Sequence, residues 1–125
     1  MCGFLVHYPV TKSDNFKRKK FFKAVELITH RGPDESKYFL SKDINMFFHR
    51  LSIIDLSKNG SQPMISQSKK NIIVFNGEIY NANDLKSYFN EKIFRGKSDT
   101  EVVLNFYEKY IFVFKIIKNI LFLEN

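Results

Sequence analysis

Apolar positions change their period several times along this chain, and each change marks an element. Residues 3–10 form a short, mostly apolar run that predicts a buried strand almost at the amino terminus. Phe21, Phe22, Val25 and Ile28 then recur at helical spacing, with Ser13 or Asp14 placed to cap the helix. Gly32 and Pro33 break the pattern and predict a loop. Residues 38–40 and 44–51 read as paired strands joined by a turn at Lys42 and Asp43. Asn59, Gly60 and Pro63 make the next stretch irregular. The apolar run 72–75 is long enough for a core strand, and Asn76-Gly77 after it is a strong turn signal. Asn81 or Asn83 opens a second helix carrying Leu85, Tyr88 and Phe89. Ser98-Asp99-Thr100-Glu101 reads as a capping box, and the helix after it buries Val102, Val103, Phe106 and Tyr107.

Strands lie beside helices without a regular βαβ rhythm, which favours an α+β fold over a parallel doubly wound sheet. At 125 residues the chain is one domain at most, with no internal repeat or linker. The net charge of +7 raises nucleic acid as a partner. The excess Lys is spread along the chain, however, and the one run, Lys17 to Lys20, reads as a solvated face. No zinc-finger, RNP or phosphate-loop pattern accompanies it, so no nucleic-acid partner is expected. A single cysteine excludes an internal disulfide and suits a reducing cytoplasm. No signal peptide is read at the start. The apolar stretch 111–123 is interrupted by Lys and falls short of the roughly 20 residues of a membrane span, so no membrane is expected either.

The chemistry begins at Cys2. Removal of Met1 would make it the amino terminus. A thiol of pKa about 8.5 would then sit beside an α-amine of about 7.7–8.0, which can act as its base. Taken alone, Cys2 reads as a small buried apolar residue. Asn76-Gly77 at the end of a rigid strand could offer a side-chain amide and a backbone N–H to a developing oxyanion, although alone it reads as a hairpin turn. Arg50 could pair bidentately with a carboxylate, and Asp99 could hold an ammonium; a surface ion pair and a helix-terminal charge are their plainer readings. Together these residues describe a site for an amino acid with an amide side chain.

Six segments sharpen this. Met1-Cys2-Gly3-Phe4, His30-Arg31-Gly32-Pro33-Asp34-Glu35, His49-Arg50-Leu51-Ser52-Ile53-Ile54-Asp55, Gln62-Pro63-Met64, Phe75-Asn76-Gly77-Glu78-Ile79-Tyr80-Asn81 and Ser98-Asp99-Thr100-Glu101 occur in one order. Over residues 1 to about 110 the chain resembles the class II glutamine amidotransferase domain of asparagine synthetase, an N-terminal-nucleophile hydrolase. The resemblance implies an αββα sandwich and a glutaminase in which Cys2 attacks the glutamine amide, forming a γ-glutamyl thioester and ammonia. It implies an oxyanion hole at Asn76 and Gly77, and Arg50 on the α-carboxylate beside Leu51, Ser52, Ile53 and Ile54. Glu78 and Asp99 would contact the α-amino end. Residues 30–35 would shape a loop near the pocket, with no catalytic role carried onto them. The ammonia would go to aspartate in asparagine biosynthesis.

The chain departs from the family at Val6, where the family often has Gly, and after Tyr110, where an apolar tail replaces the family's further strands. The expected sandwich is therefore incomplete, with residues 111–125 a divergent tail read as out-of-frame sequence in preference to a substitute strand. The five glycines, at 3, 32, 60, 77 and 96, include no Ser-Gly-Gly pyrophosphate motif. No metal and no cofactor are expected in this chain. ATP and magnesium would belong to an absent synthetase domain, supplied by a separately encoded partner. The alternative is a non-catalytic remnant. Uncovered sheet edges would favour homo-oligomers.

Overall fold

A computed structural model describes residues 2–8, 18–110 and 120–124, the last segment by its backbone. The elements in order are β1 (Gly3–His7), α1 (Arg18–Leu27), β2 (Glu35–Leu40), β3 (Asn45–Arg50), β4 (Met64–Ile65), β5 (Asn71–Phe75), α2 (Ala82–Lys86), α3 (Asp99–Lys109) and β6 (Ile120–Glu124). Short 3-10 turns at Thr29–Arg31, Lys58–Gly60 and Glu91–Ile93 join them. The strands form two antiparallel sheets, ordered β1-β3-β2 and β4-β5-β6. The α+β expectation holds at this level.

The period of the central strands explains how the layers stack. All six residues of β3 are buried, and its alternate side chains face two different environments. Met46 and Phe48 meet Ile72 and Val74 of β5, with Cys2, Phe4 and Val6 at the margin, so this cluster lies between the two sheets. Phe47 faces the other way and packs on Phe21 and Val25 of α1. On β5 the alternate residues Ile73 and Phe75 meet Val103 and Leu104 of α3. Each fully buried Phe, Ile or Leu contributes about 1.5–3 kcal/mol of transfer free energy. Val6, the departure from the family pattern, joins the inter-sheet cluster.

Several sequence expectations change here. The first strand is described only to His7, and the proposed caps at Ser13 and Asp14 lie outside the described residues. The hairpin of β2 and β3 turns at residues 41–44, where the Ser41 hydroxyl accepts the Asp43 and Ile44 amides and donates to the Ile44 carbonyl. The second helix is only Ala82–Lys86, opened by Asn81 without a side-chain cap, and Tyr88 and Phe89 lie beyond it. Asn76-Gly77 makes no hairpin: the chain goes on to α2, and no glycine has positive φ. Ser98 caps the helix, but its hydroxyl accepts the Thr100 amide at the second helical position and not the Glu101 amide at the third that a capping box uses. Glu101 does not reach back to Ser98. Its carboxylate accepts the Arg95 and Gly96 amides and the Arg95 guanidinium at 2.8–3.1 Å, tying down the preceding loop. Of the tail, residues 120–124 form β6 along the full length of β5. Among the described residues, no helix is long and apolar enough to cross a membrane.

Candidate active site

β1 enters the sheet antiparallel to β3 with Gly3 opposite His49, so Cys2 emerges beside Arg50 and Leu51. The Cys2 sulfur receives the Leu51 amide at 3.3 Å and lies 3.5 Å from the Leu51 carbonyl. Arg31 donates from Nε to the Cys2 carbonyl at 3.0 Å. Its side chain crosses directly over Gly3, where an added Cβ would meet Arg31 carbons at 3.0 and 3.1 Å. Gly3 thus gives close approach, and the group that approaches is Arg31.

A cleft of about 330 Å³ opens in front of the sulfur. Among the anticipated residues, Cys2, Arg50, Leu51, Ile53, Ile54, Asn76, Gly77, Glu78 and Asp99 all line it. Ser52 does not; its backbone amide donates to the Asp34 carboxylate at 2.7 Å, anchoring the loop from behind.

Arg50 is more committed than its sequence reading implied. Only 7% exposed, it donates from Nη1 to Glu35 at 3.2 Å and to the Ser57 carbonyl at 2.8 Å, and from Nη2 to the Asp55 carbonyl. A guanidinium has five N–H donors. Two bonds from Nη1 and one from Nη2 leave two N–H groups with no partner among the described residues. Glu35 is held in turn by the Ser61 hydroxyl at 2.7 and 2.8 Å. Gly60 is glycine for a steric reason, since a Cβ there would collide with the Arg50 guanidinium.

Asp55 locks the same wall. Its Oδ1 accepts the Ser57 amide and hydroxyl at 2.8 and 2.6 Å, and its Oδ2 accepts the Lys97 amide at 2.7 Å. Burial alone would push this carboxyl up. The hydrogen bonds from Ser57 and Lys97 and the charge of Arg50 outweigh it, so the group sits below the usual carboxylate range. His49, next to Arg50, faces the α1 side. Its Nδ1 pairs with the Ser36 hydroxyl at 2.8 Å, and its ring meets Phe47 edge-on. Burial pulls its pKa down, and the Val25 backbone offsets only part of this; Nε2 has no partner in hydrogen-bonding geometry.

The facing wall is arranged differently. Gln62, buried, reaches from below to Phe75. Asp99 accepts the Ile79 amide at 3.0 Å and the Thr100 amide at 2.8 Å. The turn between Phe75 and Ile79 is therefore fixed at both ends. Gly77 lies over the Phe75 ring, where a Cβ would come within 2.7 Å of ring carbon. The side chains of Asn76 and Glu78 line the cleft and make no hydrogen bond among the described residues. Arg31, Glu35, Asp34 and Gln62 were all present in the recognised segments. What concealed their contribution is that their partners, backbone groups for Arg31 and Asp34, side chains for Glu35 and both for Gln62, are distant in sequence. Among the described residues, no group of three or more His, Cys, Asp or Glu could hold a metal.

Comparison with known proteins places this cleft in a family. Residues 1–113 match the glutamine amidotransferase domain family. Asparagine synthetase [glutamine-hydrolyzing] 2 of Bacillus subtilis is 38% identical over 111 residues, covering 87% of this chain and 15% of that protein. The Zea mays asparagine synthetase [glutamine-hydrolyzing] is 36% identical, covering 88% and 19%. Asparagine synthetase B [glutamine-hydrolyzing] of Escherichia coli is 34% identical, covering 87% and 20%. The chain thus spans a fifth or less of the length of these relatives. With its match running from the residue before the cysteine through the last turn of α3, the chain belongs to the glutamine amidotransferase domain family.

Proposed function

We propose that this chain is the glutaminase part of a glutamine-hydrolysing asparagine synthetase, and that Cys2 is its nucleophile. The observation that carries the reading is the one cleft lined by Cys2, Asn76, Gly77, Arg50, Glu78 and Asp99. The succession of α1, two sheets and α3 through three apolar clusters supports the αββα sandwich of N-terminal-nucleophile hydrolases.

The chemistry requires loss of Met1. The freed α-amine of Cys2 takes the thiol proton, and the thiolate attacks the side-chain carbonyl carbon of glutamine. The carbonyl oxygen becomes an oxyanion, accepted by the Asn76 side-chain amide and the Gly77 N–H. Collapse expels ammonia with the proton held by the amine, leaving a γ-glutamyl thioester. Water then attacks the thioester and releases glutamate and the thiol. The two uncommitted N–H groups of Arg50 suit the α-carboxylate, flanked by Leu51, Ile53 and Ile54, with Ser52 supporting them through its backbone. Glu78 and Asp99 suit the α-ammonium. The ammonia would pass to aspartate on a synthetase module, where ATP and magnesium belong.

Glutamate release from glutamine tests this directly. The purified protein should release it, a Cys2→Ala variant should not, and mass spectrometry should show Met1 removed. Equal rates for the two proteins would overturn the assignment. A second reading, a non-catalytic remnant, is favoured by one feature: three Arg50 donors are already engaged by the protein itself. It predicts no heat of glutamine binding to the Cys2→Ala variant. The glutaminase reading predicts binding that the additional change Arg50→Ala removes.

A further inference from the structure

Phe75 is the last residue of β5 and immediately precedes Asn76. On one side it pairs with Ile120 of β6. On the other side β4 pairs Met64 with Ile73, and continuing that register would bring residue 62 opposite Phe75. The backbone ladder goes no further, because β4 begins only at Met64. The side chain of Gln62 takes over. Its Oε1 accepts the Phe75 amide at 2.6 Å, and its Nε2 donates to the Phe75 carbonyl at 3.2 Å and to the Thr100 hydroxyl at 3.1 Å. A primary amide thus serves as a one-residue piece of strand, with both ends used and the residue only 6% exposed.

We infer that Gln62 is the positioning residue for the Asn76-Gly77 turn, fixing its entry as Asp99 fixes its exit at Ile79; this rests on the glutaminase reading only for its kinetic consequence. A filler of volume would not need all three hydrogen bonds, nor would it need to bond the donor and acceptor of the same backbone residue. The Phe75 ring lies under Gly77, so displacement of Phe75 displaces the turn. A buried amide N–H left unpaired is also costly, which keeps Gln62 and Phe75 together.

The informative variant is Gln62→Met, close in length and volume but without the hydrogen bonds. Two readouts are taken on the full chain. In the first, glutamate release is normalised to reactive Cys2 thiol titrated with a diazoketone analogue of glutamine. The expected result is kcat lower by about 10²-fold with KM within about twofold, as for misplacement of a reacting group by about 1 Å. In the second, amide hydrogen exchange by NMR should quicken at Asn76 and Gly77 and stay unchanged at Ile73. Unaltered kcat per titrated thiol, or exchange that rises uniformly or not at all, would overturn the assignment. Should the unsubstituted protein release no glutamate, the proposed function fails and the exchange pattern alone decides the role of Gln62. Should Gln62→Met not fold, Thr100→Val, which removes only the acceptor of Nε2, should quicken exchange at the same two amides, and no change there would count against the inference.

Discussion

The two walls of the cleft use polar groups in opposite ways. On the wall formed by residues 50–57, Arg50 and Asp55 spend most of their hydrogen-bonding capacity on their own loop and on Glu35 and Lys97. The side chains left over there are apolar, with Ile53 and Ile54 72% and 51% exposed. On the wall formed by residues 75–79, the backbone is held from outside by Gln62 and Asp99, and the side chains of Asn76 and Glu78 remain open. The first wall is a shaped, charge-stiffened surface. The second presents donors and acceptors carried on a fixed backbone, with their own bonds unmade. Pre-organised groups of that kind can stabilise developing charge without reorganising at the moment of reaction.

The sharpest way to break this comparison is to truncate one residue from each wall. Asn76→Ala should lower kcat by about 10²–10³-fold while leaving thermal unfolding within a few degrees, because no intramolecular bond is lost. Arg50→Ala should raise KM for glutamine and also destabilise the fold by about 2 kcal/mol, because the Asp55 and Ser57 carbonyls and Glu35 lose their donor. Finding the stability loss at Asn76 and none at Arg50 would reverse the description of the walls.

Smaller effects should follow pH. The Asp55 carboxyl is held below its unfolded value, so its contribution to stability is present above about pH 3.9 and is lost as acid takes the pH down through the lower folded value. Denaturant unfolding between pH 5 and 2 should show that slope, and Asp55→Asn should flatten it. His49 has the smallest effect. Its folded pKa lies below the usual value of about 6.5, so the unfolded chain binds the proton first as pH falls. Stability should decline from about pH 6.5 downward, and His49→Gln should remove that part of the slope. A slope unchanged in both variants would place the acid sensitivity elsewhere.

The layout of strands was legible because residues 44–51 and the continuous apolar run 72–75 read as strands, and β3 and β5 form there. The site residues were legible through the order of six short segments, and all but Ser52 reach the cleft wall. Less legible were bonds that no local pattern predicts. Glu101 sits where a capping box predicts a local bond, but Arg95 and Gly96 offer three N–H donors and win the carboxylate. Asn76-Gly77 has the composition of a hairpin turn, yet the glycine is required by the Phe75 ring beneath it. Gln62 gave no signal beyond its place in a segment, because nothing local shows that a side chain will stand in for a strand. Residues 120–124, apolar without turn chemistry, offered no periodicity from which pairing with β5 could be read.

That pairing bears on how the protein is made. β5 gains its neighbour β4 from only a few residues upstream, but its second neighbour is β6, at Ile120–Glu124. During synthesis the backbone of β5 waits with one row of amides and carbonyls open until residues 120–124 clear the ribosome. Such an edge invites pairing with a second nascent chain. Chaperone engagement or concentration-dependent aggregation during expression should therefore track the availability of this last strand, and the segment that leads into Asn76 would be the last part of the cleft to become permanent.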